Sequence, residues 1–230
     1  MSQAPSATDP DGFEQHPFTL PAGATEVILV RHGASAHFIP GTPFPLLDGR
    51  SDPELSVVGR AQAELLAKRL RGEIFSRLYV TSLRRTQETA APIVATAGVD
   101  FTIVAELVEV GLGDWEGGEL RARTALGDPV ALQIFAEERW DVIPGAESLE
   151  AFGVRLRAGI ARIVDETGPD AIAVAILHGA AIGELCRHAT GSRPFAFVHA
   201  DNGSMSRLIV YPDDRWLLRS FNDTSHLHTP

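Results

Sequence analysis

Four short stretches hold residue types that could act together on a phosphorylated substrate. Arg31-His32-Gly33 and His178-Gly179 each set an imidazole, then a glycine, directly after an apolar run. Arg84 and Arg85 sit side by side in SLRRTQETA, and Glu106 and Glu109 alternate with aliphatics and glycines in ELVEVGLGDWEG. If the groups at His32, Arg85 and His178 converge, one cleft holds two imidazoles, at least two guanidiniums and a nearby carboxyl. The planar fork of arginine matches phosphate oxygens and neutralises the charge that repels a nucleophile. A neutral imidazole can attack phosphorus and form a phosphohistidine, and a second can donate to the oxygens on which charge spreads. A carboxylic acid can protonate the leaving alkoxide and then deprotonate water. No metal is required, because the cations can supply the electrostatic stabilisation.

The elements that must position these groups are legible as alternating strands and helices. Val27, Ile28, Leu29 and Val30 form an unbroken aliphatic run, as in a strand buried on both faces, and it ends at Arg31-His32. Asp170 to Leu177, the most hydrophobic run, predicts a central strand ending at His178, with a helix from Ala180 to Ala189 after it. In open α/β sheets ligands sit at the carboxyl ends of strands. Gly33 there lets the backbone turn or approach a ligand closely. Ala36 to Asp52, dense in proline and glycine, predicts a loop over the cleft. Ser56 caps a predicted helix from Val57 to Arg71. Arg77 to Thr81 reads as a strand running into a helix from about Ser82 to Ala97, whose N-terminus suits an anion. Asp100 to Ala105 is a third strand candidate. Gly118 to Arg139 is loosely helical, Pro144-Gly145 breaks it, and Glu147 to Thr167 is a long amphipathic helix capped at or near Ser148. Asn202 to Tyr211 and Trp216 to Asn222 predict an antiparallel hairpin at the sheet edge.

Composition sets the outer limits. At 230 residues the default is one domain, read as residues 24–226 behind a loose tail of residues 1–23, with Leu227 to Pro230 fraying. Net charge −10 argues against nucleic-acid and membrane-surface partners, while a local arginine and histidine cluster still admits a small anionic substrate. There is no signal-like or membrane-spanning apolar segment, and the single cysteine, Cys186, lies in an apolar helical pattern, so a cytoplasmic protein with a core thiol is expected. Zinc-site spacings and the Walker, GxGxxG and GxSxG patterns are missing, and no cofactor is expected. The sequence leaves a homo-oligomer open.

In order, LVRHGAS, SLRRTQETA, LVEVGLGDWEG, PGAES and ILHGAAIGEL resemble the histidine phosphatase superfamily, which includes cofactor-dependent phosphoglycerate mutases. The resemblance spans about Glu26 to Leu208. It implies an α/β three-layer sandwich, a mainly parallel mixed sheet with helices on both faces. It implies that His32 is the nucleophile, that Arg31, Arg85, His178 and Gly179 bind phosphate with it, and that Glu109, not Glu106, is the proton donor. Arg84 is then the adjacent, non-equivalent arginine.

The chain also departs from that pattern. Where the family commonly reads RHGExxxN, Ala34 replaces the acid and Phe38 stands where an asparagine often binds phosphate. Asp48-Gly49 replaces a frequent glutamine-glycine pair. An apolar residue and an acid beside the phosphate would disfavour a small, highly charged sugar acid, with His37 a candidate replacement donor. The expectation is therefore a phosphatase of small phosphomonoesters. The alternatives are mutase-type phosphoryl transfer, for which only Arg121, Arg123 and Arg139 offer extra positive charge, and a phosphate-binding module without turnover. Trp115 and Trp216 read as packing, His199 and Asn202 as candidates to line the cleft, and His226 and His228 as tail.

Overall fold

The computed structural model describes residues 15–228. Eight strands and six α-helices follow one another as β1 (Thr25–Arg31), β2 (Leu46–Leu47), β3 (Arg50–Ser51), α1 (Val57–Leu70), β4 (Arg77–Val80), α2 (Arg84–Ala97), β5 (Phe101–Ile103), α3 (Glu119–Ala125), α4 (Pro129–Glu137), α5 (Leu149–Thr167), β6 (Ala171–Leu177), α6 (Gly179–Thr190), β7 (Met205–Val210) and β8 (Trp216–Asp223). The main sheet has the order β5-β4-β6-β1-β7-β8. Its first four strands pair in parallel, and β7 runs against both β1 and β8. The α/β fold with an antiparallel edge hairpin is the expected one.

The apolar run of β1 is interior because both faces of the sheet are covered. Successive side chains alternate between faces. Val27 and Leu29 join a core with Phe152 and Leu156 of α5 and Ile182 of α6, while Ile28 and Val30 pack with Leu66 of α1 and Ile93 of α2. Caps fix the helix starts: Ser56 Oγ accepts from Gly59 N at 3.1 Å, and Ser148 Oγ from Ala151 N at 3.2 Å. The loosely helical stretch is two helices, parted at Gly127 and restarted by the Asp128 cap.

Several expectations change. Asp48 and Gly49, with φ of 48° and 73°, form the turn of a small β2–β3 hairpin, an arrangement that favours Asp-Gly. Asp48 is exposed on that turn and does not line the cavity. Residues 225–227 form a 3₁₀ turn in which His226 Nε2 lies 3.0 Å from Gly203 O, so this histidine is docked rather than frayed. Of the expected N-terminal tail, residues 1–14 lie outside the described residues. Gly23 N donates to Asp170 Oδ1 at 2.7 Å, and Arg219 lies over the Phe18 ring at 4.2 Å. Among the described residues no helix is long and apolar enough to cross a membrane.

Candidate active site

Register places the two histidines side by side. Arg31 pairs with Leu177 across the parallel β1–β6 ladder, so the next residues, His32 and His178, leave neighbouring strands together. Their ring centroids are 5.3 Å apart. His32 N donates to Leu177 O at 3.0 Å, and His32 O accepts from Asn202 Nδ2 at 3.0 Å. Asn202 thus supports the floor of the cleft rather than lining it.

The tautomer of His32 follows from its neighbours. Nδ1 is 2.7 Å from the Gly33 carbonyl, which can only accept, so Nδ1 carries the proton. Nε2 then holds the lone pair and accepts from Arg85 Nε at 3.1 Å. Burial, reinforced by the Arg85 and Arg31 charges, pushes this imidazole well below its usual value and keeps it neutral. His178 is fully buried, and burial followed by the Arg85 charge likewise pushes it down. Its Nε2 is 2.9 Å from Thr81 Oγ1, while its Nδ1 has no partner among the described residues. Arg31 donates from one terminal nitrogen to Ala200 O, and its Nε is buried with no partner among the described residues. A Cβ on Gly179 would stand 3.1 Å from that Nε, so glycine there makes room for the guanidinium over the start of α6.

Arg85 is almost fully buried and is pushed down to about 10 by burial. Its second anchor is Ser51 O at 2.8 Å. Arg84 points the other way, into an exposed cluster with Glu54 and Glu88. Its backbone N–H is taken by Asp52 Oδ1 at 2.7 Å, so a carboxylate of the protein itself occupies the α2 N-terminus. Glu109 does the same at α6, accepting from Ala180 N and Ala181 N at 3.2 Å each. Glu106 lies outside the cavity lining and faces Arg162 at 3.6 Å.

The structure corrects the reading of the loop after His32. A Cβ on Gly33 would lie 2.4 Å from Gly59 O, so Gly33 permits close approach to the backbone of α1, not to a ligand. Phe38 packs edge-on to Phe44 and against Gly118, and neither it nor exposed His37 lines the cavity. Ala34 is held by its backbone, which accepts from Ser56 N and donates to Gln62 Oε1.

Several supporting residues have no signature in the sequence. Thr89 Oγ1 donates to Arg85 O at 2.6 Å and accepts from Gly33 N at 3.1 Å, tying α2 to the loop after His32. Arg155 donates to the carbonyls of Glu106, Val108 and Glu109 and grips Glu147 with both arms of its fork. Arg121 donates to Ala36 O at 2.8 Å and Ser35 Oγ at 2.7 Å and lines the cavity. The sequence held two hints: Arg121 among the arginines offering extra positive charge, and Thr89, one helical turn after Arg85 and hence on its face.

A cavity of about 300 Å³ opens above this floor. Its lining includes Arg31, His32, Arg85 and Glu109 together with Trp115, Trp140 and exposed His199. Trp115, with Arg123 over its ring at 4.9 Å, both packs and forms wall, whereas Trp216 packs on His188 away from the cleft.

Comparison with known proteins agrees with this geometry. A family model described as histidine phosphatase superfamily (branch 1) matches residues 27–224. A phosphoglycerate mutase-like protein of Arabidopsis thaliana is 32% identical over 208 residues, covering 88% of this chain and 86% of that one. A mycobacterial glucosyl-3-phosphoglycerate phosphatase superposes with a TM-score of 0.70 at 25% identity, covering 87% of this chain and 100% of the other. A phosphoglycerate mutase from Bacillus anthracis shares the fold, with a TM-score of 0.73 at 21% identity over 90% and 96% of the two chains.

Proposed function

The chain belongs to the histidine phosphatase superfamily, and from that premise we propose that it is a metal-independent phosphatase of small phosphomonoesters, working through a phosphohistidine on His32. The observation that carries this reading is the pair of buried nitrogens beside the His32 ring, Arg31 Nε and His178 Nδ1, that find no partner among the described residues. Unpaired buried donors are costly, and a phosphoryl group supplies the acceptors they lack.

In the first step His32 Nε2 attacks phosphorus. An N–P bond forms while the P–O bond to the alcohol breaks, and Glu109, as the carboxylic acid, gives its proton to the leaving oxygen. Arg85 releases the Nε2 lone pair as phosphorus approaches, and with Arg31 it neutralises the phosphoryl oxygens. With Thr81 Oγ1 donating to His178 Nε2, the proton of neutral His178 sits on Nδ1 and is available to a phosphoryl oxygen. In the second step water attacks phosphorus, Glu109 takes its proton, and the N–P bond breaks. Inorganic phosphate leaves, and His32 is again neutral.

Mutase-type transfer is a second reading, favoured by the phosphoglycerate mutase names among the relatives. Against it, a mutase needs extra cations for a second acid group. Of the three arginines available, only Arg121 lines the cavity; Arg123 pairs with Glu119 and Asp128, and Arg139 with Asp141.

The test is release of inorganic phosphate from a panel of phosphomonoesters in EDTA, by the wild type and His32→Ala. The expected result is turnover by the wild type and a fall of about 10³-fold or more in the variant. Isomerisation of phosphoglycerates would favour the mutase. Neither activity would overturn the enzyme reading and leave a phosphate-binding module.

A further inference from the structure

The cavity sets a cluster of cations among largely apolar and aromatic walls, and we infer that the substrate is a phosphomonoester whose leaving alcohol carries a flat, uncharged, apolar ring body rather than a polyol or a second acid group. The inference rests on the phosphatase reading for the phosphate end and adds the identity of the other.

Positive charge is concentrated at the floor. Arg31 and Arg85 stand there, and the Arg121 charge is felt by His32, Arg31 and Arg85. The partners of Arg121 are neutral, the Ala36 carbonyl and the Ser35 hydroxyl, so its charge adds to the floor. The rest of the lining is mainly apolar: Leu112, Leu120, Phe135, Trp140, Val198 and Trp115, whose ring Arg123 covers, with the exposed His199 imidazole beside them.

The polar side chains of the middle wall are already committed within the protein. Ser51 is bound to Glu116 through both N–H and hydroxyl, and the other oxygen of Glu116 accepts from Leu112 N at 2.9 Å. Arg50 donates to Glu109 O at 2.8 Å and meets Glu147 at 3.4 Å. The hydroxyls of a sugar or glycerate buried here would compete for occupied partners, which disfavours them. A ring loses nothing by the same burial. Phe135 and His199 stack at the rim, 6.1 Å apart and 14° from parallel, and present ring surface at the mouth. The volume, at the small end of ligand sites, suits a phosphate with one fused ring pair.

The experiment compares two non-hydrolysable phosphonates on the wild-type protein by calorimetry, one with a 2-naphthylethyl body and one with a dihydroxypropyl body. The corresponding phosphate esters, both leaving as primary alcohols, are assayed for phosphate release in parallel. The expected result is at least tenfold tighter binding of the naphthyl phosphonate. Phe135→Ala should cut that preference about fivefold and leave the dihydroxypropyl affinity unchanged, as loss of apolar contact at the rim requires. Equal or weaker binding of the naphthyl compound, or no binding of either, overturns the inference. A clear naphthyl preference with no phosphate released from any ester would overturn the phosphatase reading and, with it, the leaving-alcohol assignment, leaving a site that binds ring-bearing phosphate ligands without turnover.

Discussion

His32 and His178 are buried imidazoles whose proton affinity is lowered by burial first and by neighbouring guanidiniums second. In the unfolded chain both return to about 6.5. Below that pH the unfolded state takes up protons that the folded state refuses, so stability is intact above about 6.5 and is lost as pH falls beneath it. Two such groups give a slope approaching about 2.7 kcal/mol per pH unit. Urea unfolding at pH 7.5 and 5.5 should show a midpoint markedly lower at pH 5.5; equal midpoints would refute the account. That the histidines, Arg85 and a carboxyl from residues 106–109 meet in one place could be read from the chain, because each stands at the end of an apolar run or in an ordered motif; the structure puts Glu109, not Glu106, in the cavity lining. Arg155 could not, and Arg121 stood only as one of three arginines offering extra positive charge. Each is an arginine on an amphipathic helix, and an arginine turned to water has the same spacing as one turned into a cleft. Only the packing of α3 and α5 against distant loops separates the two cases.

Between elements, the tightest constraint is the crossing of the residue 33–34 backbone over α1. A Cβ on Gly59 would lie 2.0 Å from Ala34 O, against backbone that cannot rotate away. Gly59→Ala should gain helix propensity yet destabilise the protein by about 2 kcal/mol through overpacking, and it should lower phosphate release because Gly33 O orients His32. Denaturant unfolding with a parallel rate measurement checks both; a stabilised, fully active variant would refute the crossing. The sequence marked Gly33 as special but assigned it to the wrong neighbour, since nothing local to residues 31–35 announces α1. The β2–β3 hairpin was missed for a different reason. Its two-residue strands are too short for alternation to register, although Asp48-Gly49 was in plain view as a turn signal.

Across the whole molecule, the strand order was the part least accessible to reading along the chain. Sequence patterns located β1, β4 and β6, but their adjacency in the order β4-β6-β1 depends on crossovers that bring distant segments together. The same packing buries Cys186 completely and pushes its thiol up to about 12. A thiol reagent at pH 8 should therefore label the native protein at a negligible rate and the urea-unfolded chain fully. Rapid labelling of the folded protein would show that α6 is less tightly packed than described. The sheet also divides the labour of the cleft. Two of the floor side chains, Arg31 and His32, come from the end of β1, with His178 buried beside them at the end of β6; both strands are locked by ladders on both sides, and the wall comes from the β2–β3 hairpin and the segment from Val110 to Trp140. In evolutionary terms these are separately inheritable parts. Substitutions and insertions in the wall can retarget the pocket while the reacting groups keep their positions, so a lineage built on this sheet can change what it recognises without reinventing its chemistry.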